Sequence, residues 1–259
     1  MTILDQIIEH KAFEIEASKP LIPIEALSDM PYYERKCHDF AQSVMTKTGI
    51  VAEFKRKSPS KGLINGEVSV SDVVIAYQTA GVSAVSILTD TKYFGGTFND
   101  LLLARAVLDI PILRKDFIID AYQLHEAKAI GADVILLIAA GLELNQCKEL
   151  ASEAKSIGLN VFLELHAKEE LKYLSKDIDV VGINNRNLKT FEVNIENSIR
   201  LSQELPADLP KIAESGISTV STLQHMKSNG FEGFLIGESF MRNSNPGSAC
   251  QAFIKEAGL

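Results

Sequence analysis

Eight short apolar runs, each about a helix and two loops from the next, restrict what this 259-residue chain can become. They read "GIVAEF", "VSAVSIL", "IPILRKDF", "ADVILLIA", "NVFLEL", "VVGINN", "PKIAES" and "GFLIGE", beginning near residues 49, 83, 110, 132, 160, 180, 210 and 233. Each is rich in β-branched residues and apolar at consecutive positions, as a strand covered on both faces requires, and that implies a parallel sheet. Segments of helical periodicity closed by glycine fill several gaps: "SDVVIAYQTAG", "YQLHEAKAIG", "CKELASEAKSIG" and "TLQHMKSNG". Strand, helix, strand repeated eight times predicts an α/β fold closed into a (β/α)8 TIM barrel. An open doubly wound sheet is the alternative. It would carry a G-x-G-x-x-G turn after its first strand, and the sequence has none there.

Residues 1–48 precede the first run. Ile3, Leu4, Ile7, Ile8 and Ile15 recur at helical spacing up to a break at Pro20 and Pro23, and Tyr33, Cys37, Phe40 and Val44 form a second stripe before Gly49. An amphipathic helical extension resting on the barrel is expected. No linker or composition shift divides the chain. It is therefore read as one barrel domain spanning 1–259, of which 1–48 is the extension, with no fused second barrel.

Composition narrows the function classes. A formal charge of −8 disfavours nonspecific nucleic-acid binding, and an anionic ligand would need a locally positive pocket. Cys37, Cys147 and Cys250 are odd in number and far apart, which argues against disulfides and a cysteine metal site and fits a cytoplasmic protein. The five histidines show no ligand spacing, so no metal is expected. The charged start "MTILDQIIEHKAFEIEASK" is no signal peptide, and no apolar run reaches the roughly 20 residues of a membrane span.

The strand ends carry the chemistry. In such barrels reactions occur at the C-terminal ends of the strands. Glu53 and Lys55 close the first run, two residues apart and so on one face of the strand. Lys115 and Asp116 close the third, Glu164 and His166 the fifth, Asn184, Asn185 and Arg186 the sixth, Glu214, Ser215 and Gly216 the seventh, and Gly237 and Glu238 the eighth. Glu53, Lys55, Lys115, Glu164, Asn184 and Glu214 are thus expected to converge on one mouth. Burying so many charges is costly unless they pair with one another and with an ionic ligand. Asp90 and Asp116 are read as helix caps or rim partners, Arg56 and Lys57 as rim groups unless a loop turns them inward, and "NNRN" as a turn. "ESGIS" and "IGESF" each set a glycine and backbone N–H groups near a helix start, the place where barrels often hold phosphate. Glu238 would offer its N–H there with its carboxylate turned away.

The stretch "VAEFKRKSPSKG" resembles the signature of the indole-3-glycerol phosphate synthases. "SILTDTKYFGG", "ILRKDFIID", "FLELH", "GINNRNLKTFEVN", "AESGI" and "LIGESFM" resemble that family in the same order, over nearly the whole chain. The resemblance implies ring closure of 1-(2-carboxyphenylamino)-1-deoxyribulose 5-phosphate with loss of carbon dioxide and water, and no cofactor. It implies Lys115 as general acid, Glu164 and Glu53 as the base and acid of dehydration, and Lys55 pairing with the substrate carboxylate or a neighbouring acid. Asn184 would orient the substrate, with Glu214 and Ser215 supporting. Ser58, Gly216 and Gly237 would hold phosphate with Arg186 nearby, and Phe94 and Phe117 would line an apolar pocket. The only partner implied is a small phosphorylated substrate, on a monomer or a homodimer. Rivals are a Schiff-base aldolase using Lys115 or Lys55, a phosphoribosylanthranilate isomerase, and a non-catalytic metabolite-binding barrel.

Overall fold

A computed structural model describes residues 2–187 and 190–259; within "GINNRNLKTFEVN", Leu188 and Lys189 lie outside the described residues. The eight runs form eight parallel strands: β1 (Ile50–Phe54), β2 (Ala84–Leu88), β3 (Ile112–Lys115), β4 (Val134–Ile138), β5 (Asn160–Leu165), β6 (Val180–Asn184), β7 (Lys211–Glu214) and β8 (Gly233–Ile236). They pair in sequence order, and β8 closes on β1. The fold is a (β/α)8 TIM barrel preceded by helices. The four glycine-closed segments are helices at Val70–Thr79, Tyr122–Ala129, Leu144–Ser156 and Val220–Ser228.

Strand alternation sorts two cores. Residues facing outward, such as Ile50, Ile112, Ile135 and Val181, pack under the surrounding helices. Inward residues, including Val51, Leu113, Val134, Phe162, Val180 and Ile212, fill the barrel itself. Going up β1, β3, β5 and β7 by two residues, the inward position turns polar: Val51 gives way to Glu53, Leu113 to Lys115, Phe162 to Glu164 and Ile212 to Glu214. The charged mouth therefore rests on an apolar floor.

The N-terminal helices serve both ends of the barrel. Helix α1 (Ile3–Ser18) lies at the C-terminal mouth, where Ile3, Leu4 and Ile7 line the cavity described below. After the short helix α2 (Ile24–Ser28), helix α3 (Phe40–Thr46) plugs the opposite end. Phe40 packs against Phe162 inside the barrel with ring centroids 5.8 Å apart and planes tilted by 47°, and Ser43 donates to the Ser83 carbonyl. The second stripe is not one helix, as its spacing suggested. Tyr33 and Cys37 belong to an irregular segment, and the helix starts only after Asp39 caps it. Buried Asp133 pulls that segment straight: it accepts from the Arg35 guanidinium at 2.7 Å and from the His38 N–H at 2.7 Å. A helix through 33–38 would forfeit these bonds and leave Asp133 with less to balance its charge.

Candidate active site

The residues that the sequence assigns a catalytic or substrate-binding role all line one cavity of about 380 Å³ at the C-terminal mouth, whereas His166 and Asn185, from the same strand ends, do not. Strands β1, β3, β5, β6 and β7 bring their charged or amide side chains to its base. Lys115 lies at the centre, its Nζ 2.8 Å from Glu164 Oε2 and 2.9 Å from Glu214 Oε2. Asn184 donates from Nδ2 to Glu164 Oε1 at 2.9 Å, and its own Oδ1 accepts the Arg186 N–H at 3.0 Å. Lys55 donates to Glu53 Oε1, which joins the two charges that open the sequence motif. Phe94 and Phe117 face each other at 5.9 Å on the apolar side, near Leu88, Leu136 and Ile138.

Electrostatics separates the two carboxylates on Lys115. Burial opposes ionisation of Glu164, but the Lys115 ammonium and His166 overcome it and hold its pKa well below the usual value. Glu214 is pushed up to about 7, first by burial and then by the Glu164 charge, against the pull of Lys115. Its Oε1 is buried with no hydrogen-bond partner among the described residues. Burial works against the Lys115 charge too, yet Glu164 and Glu214 outweigh it and raise its pKa above the ordinary lysine value. Near neutral pH the centre therefore holds an ammonium, one firm carboxylate and one carboxyl close to its titration point.

That arrangement predicts a stability slope. An ordinary glutamate titrates near 4.5 and buried Glu214 near 7. Between these values the folded chain keeps a proton that the unfolded chain has lost. The carboxyl's favourable contribution is full below about 4.5 and is lost as pH rises through about 7. From this group, unfolding free energy falls by up to about 1.4 kcal/mol per pH unit across that window. Glu164 is shifted the other way, so its contribution is lost only as pH falls below the window. Urea unfolding of wild type and Glu214→Gln between about pH 5 and 7 measures the difference; the variant is expected to lose the slope, and an unchanged slope contradicts the assignment.

Two glycines make room for the carboxylates. A Cβ at Gly237 would meet Glu53 Oε1 at 2.3 Å, and one at Gly182 would meet Glu214 Oε1 at 2.3 Å. Ser215 takes a left-handed φ of +66°, rare for a residue with a Cβ, and Asn185 steadies it by donating to the Ser215 carbonyl at 2.7 Å. That is what buried Asn185 does; it is not among the residues lining the cavity. Ser58 lies in a small hairpin of Lys57–Ser58 and Gly62–Leu63 that follows β1 and overhangs the mouth. The Glu238 carboxylate is half-exposed at the lip, 3.8 Å from Lys61.

The remaining polar expectations fare differently, and only that for Asp116 needs correction. Asp90 does cap a helix, Thr91–Phe94, by accepting from the Tyr93 and Phe94 N–H groups. Asp116 neither caps a helix nor lies on the rim. It is fully buried, held by Thr89, Arg114 and Lys11, and its pKa is lowered to about 2: burial raises it, but Lys11 and Arg114 prevail. Arg56 turns inward and forks onto Asp100 at 2.6 and 2.9 Å. Three further side chains near the site belong to no motif that assigns them a role. His166 Nε2 is 3.1 Å from Glu164 Oε1, on the side away from Lys115. Arg114 is buried on the helix-facing side of β3, bonded to Asp116 and Glu126. Lys11 is buried at the end of the apolar face of α1 that borders the cavity. A lysine at a core position of an amphipathic stripe was the available signal.

Comparison with known proteins agrees with the geometry. The family model for indole-3-glycerol phosphate synthase matches residues 4–253. The chain is 49% identical to the indole-3-glycerol phosphate synthase of Bacteroides thetaiotaomicron over 98% of both chains. It is 41% identical to that of Burkholderia vietnamiensis over 95% of this chain and 97% of the other. Among solved structures, a chain of the tryptophan synthase complex from Pyrococcus furiosus superposes with a TM-score of 0.60 at 14% identity, covering 82% of this chain and 99% of that one. A 3-hexulose-6-phosphate synthase does so at 0.62 and 12%, covering 80% and 98%. These last two likenesses concern the barrel fold alone. No helix among the described residues is long and apolar enough to cross a membrane.

Proposed function

The chain belongs to the indole-3-glycerol phosphate synthase family, and on that premise we propose how its residues share the reaction. The enzyme is a carboxy-lyase of tryptophan biosynthesis acting on a small phosphorylated substrate. It closes the ring of 1-(2-carboxyphenylamino)-1-deoxyribulose 5-phosphate, releasing carbon dioxide and water. The observation that carries the division of roles is the Lys115 ammonium shared by Glu164 and Glu214 at the cavity base.

In the first step the ring carbon bearing the carboxylate attacks the ribulose carbonyl. A carbon–carbon bond forms, and the carbonyl electron pair moves to oxygen, where Lys115 delivers a proton. Its two carboxylate partners keep it protonated until the developing alkoxide becomes more basic than the lysine amine. The ring carboxylate then leaves as carbon dioxide, and its electron pair returns to the ring. Lys55, beside Glu53, offers the positive charge that holds this carboxylate in the ground state. In the last step Glu164 takes a proton from the carbon next to the ring nitrogen while Glu53 gives one to the departing hydroxyl, so water leaves and the indole is complete. Asn184 keeps Glu164 aimed, and Glu214 with Ser215 shapes the wall behind Lys115. Phe94 and Phe117 take the carboxyphenyl ring. Ser58, the N–H groups at Gly216, Gly237 and Glu238, and Arg186 receive the phosphate. The half-exposed Glu238 carboxylate, directed at Lys61, supports an N–H role there. Residues 1–48 act with the barrel as one catalytic unit, and three free cysteines support a cytoplasmic setting.

Gly237→Ala tests the phosphate side. The added Cβ would enter the space of Glu53 Oε1 and crowd the approach to the phosphate N–H groups. KM is expected to rise and kcat to fall together by about tenfold or more, since small displacements of positioned groups cost that much. Steady-state kinetics that leave both unchanged contradict this placement. The function itself is tested by mixing enzyme and substrate and following indole fluorescence. A borohydride-trapped lysine adduct would instead favour the aldolase alternative.

A further inference from the structure

The buried face of α1 reads Leu4, Ile7, Lys11, Ile15, so a lysine occupies a position where the helix needs an apolar residue. Its ammonium lies 3.1 Å from Asp90 Oδ2 and 3.0 Å from Asp116 Oδ1, both side chains being fully buried, and 2.7 Å from Glu14 Oε2 on its own helix. Each of the two aspartates also sets the backbone of one aromatic wall residue. Asp90 Oδ1 accepts the Phe94 N–H at 3.2 Å, and Asp116 Oδ1 accepts the Phe117 N–H at 2.8 Å. One and two turns before Lys11, the same face of α1 presents Ile7 and Leu4 to the cavity. The helix thus closes one side of the apolar part of the cavity, and the partners of Lys11 hold the other.

A hydrophobic residue at 11 could bury the same surface but would let α1 slide or turn. A charge bridging two buried carboxylates allows one placement, which is the best-supported use of buried ion pairs. Asp90 Oδ2 makes no directed hydrogen bond among the described residues, so the Lys11 charge compensates it. Asp116 keeps Arg114 and Thr89 on its second oxygen.

We propose that Lys11 is a positioning residue for substrate binding: it pins α1 and the Phe94 and Phe117 backbones in one register, so that the two apolar walls grip the carboxyphenyl ring. This rests on the ring-closure assignment above. The prediction is a split between KM and kcat. Lys11 lies outside the acid–base centre of Lys115, Glu164 and Glu53, so its loss acts on binding more than on chemistry. Lys11→Met is expected to raise KM about tenfold, equivalent to about 1.4 kcal/mol of binding, while kcat falls less than about threefold. Lys11→Arg, which can still span both carboxylates, is expected to restore most of the KM.

The experiment is steady-state indole fluorescence on wild type, Lys11→Met, Lys11→Arg and Lys11→Met with Asp90→Asn, each with a thermal melt to fix a temperature at which it is folded. The double variant removes the buried charge that the single one orphans, so it stays usable if Lys11→Met folds poorly. It is expected to recover melting temperature but not KM. A folded Lys11→Met or double variant with wild-type KM overturns the proposal and leaves Lys11 a purely structural ion. So does a loss confined to kcat. No turnover by wild type would instead overturn the ring-closure assignment.

Discussion

Lys115→Met is expected to lower kcat by about 10²–10⁴, the usual contribution of a positioned acid, with a much smaller change in KM. The acid is lost, and so is the charge that keeps Glu164 and Glu214 compatible. Both carboxylates are buried and both touch the same ammonium. Without it they face each other uncompensated, and Glu214, already raised to about 7, is expected to hold its proton to higher pH still. Removing one partner of a buried pair typically costs about 3–5 kcal/mol, and proton uptake by Glu214 recovers part of that. The variant is therefore expected to melt lower than wild type and to lose more stability as pH rises. Kinetics and melts across pH measure both effects. Near-normal turnover contradicts the acid role.

Glu164→Gln is expected to cut kcat by a similar factor of about 10²–10⁴ but to move the electrostatics the opposite way. The Glu164 charge is one of the causes that raise Glu214, so its removal lets Glu214 ionise at lower pH and pair fully with Lys115. The stability slope between about pH 5 and 7 flattens in Glu164→Gln and steepens in Lys115→Met. The double variant is expected to be far less impaired than the product of the two single losses, because the residues act as one unit. A strictly multiplicative result contradicts that coupling.

The strands were legible because consecutive apolar, β-branched residues have one physical reading, a strand covered on both faces. The mouth was legible because period-two alternation carries Val51 to Glu53 to Lys55 along one side of β1, and the same step applies on β3, β5 and β7. Lys11 was only half legible: its spacing with Leu4, Ile7 and Ile15 sets it on the core stripe of α1, but the carboxylates that pair with it, Asp90 and Asp116, come from the loops after β2 and β3, which no local pattern encodes. Arg114 was hidden likewise, since its partner Glu126 reaches it from the next helix. The stripe at Tyr33 and Cys37 misled because helical spacing also arises where a segment is pulled straight by a buried acid, here Asp133. The roles of Gly182 and Gly237 as space for carboxylates depend on distances across strands that no local pattern encodes.

The most direct test mixes wild type, Lys115→Met and Glu164→Gln, each shown to be folded, with 1-(2-carboxyphenylamino)-1-deoxyribulose 5-phosphate and records indole fluorescence and released carbon dioxide together. Equal amounts of indole and carbon dioxide from the wild type, with both variants slowed by about two orders of magnitude or more, are the expected result. Near wild-type rates from both folded variants would contradict the assignment of the chemistry to the Lys115 centre.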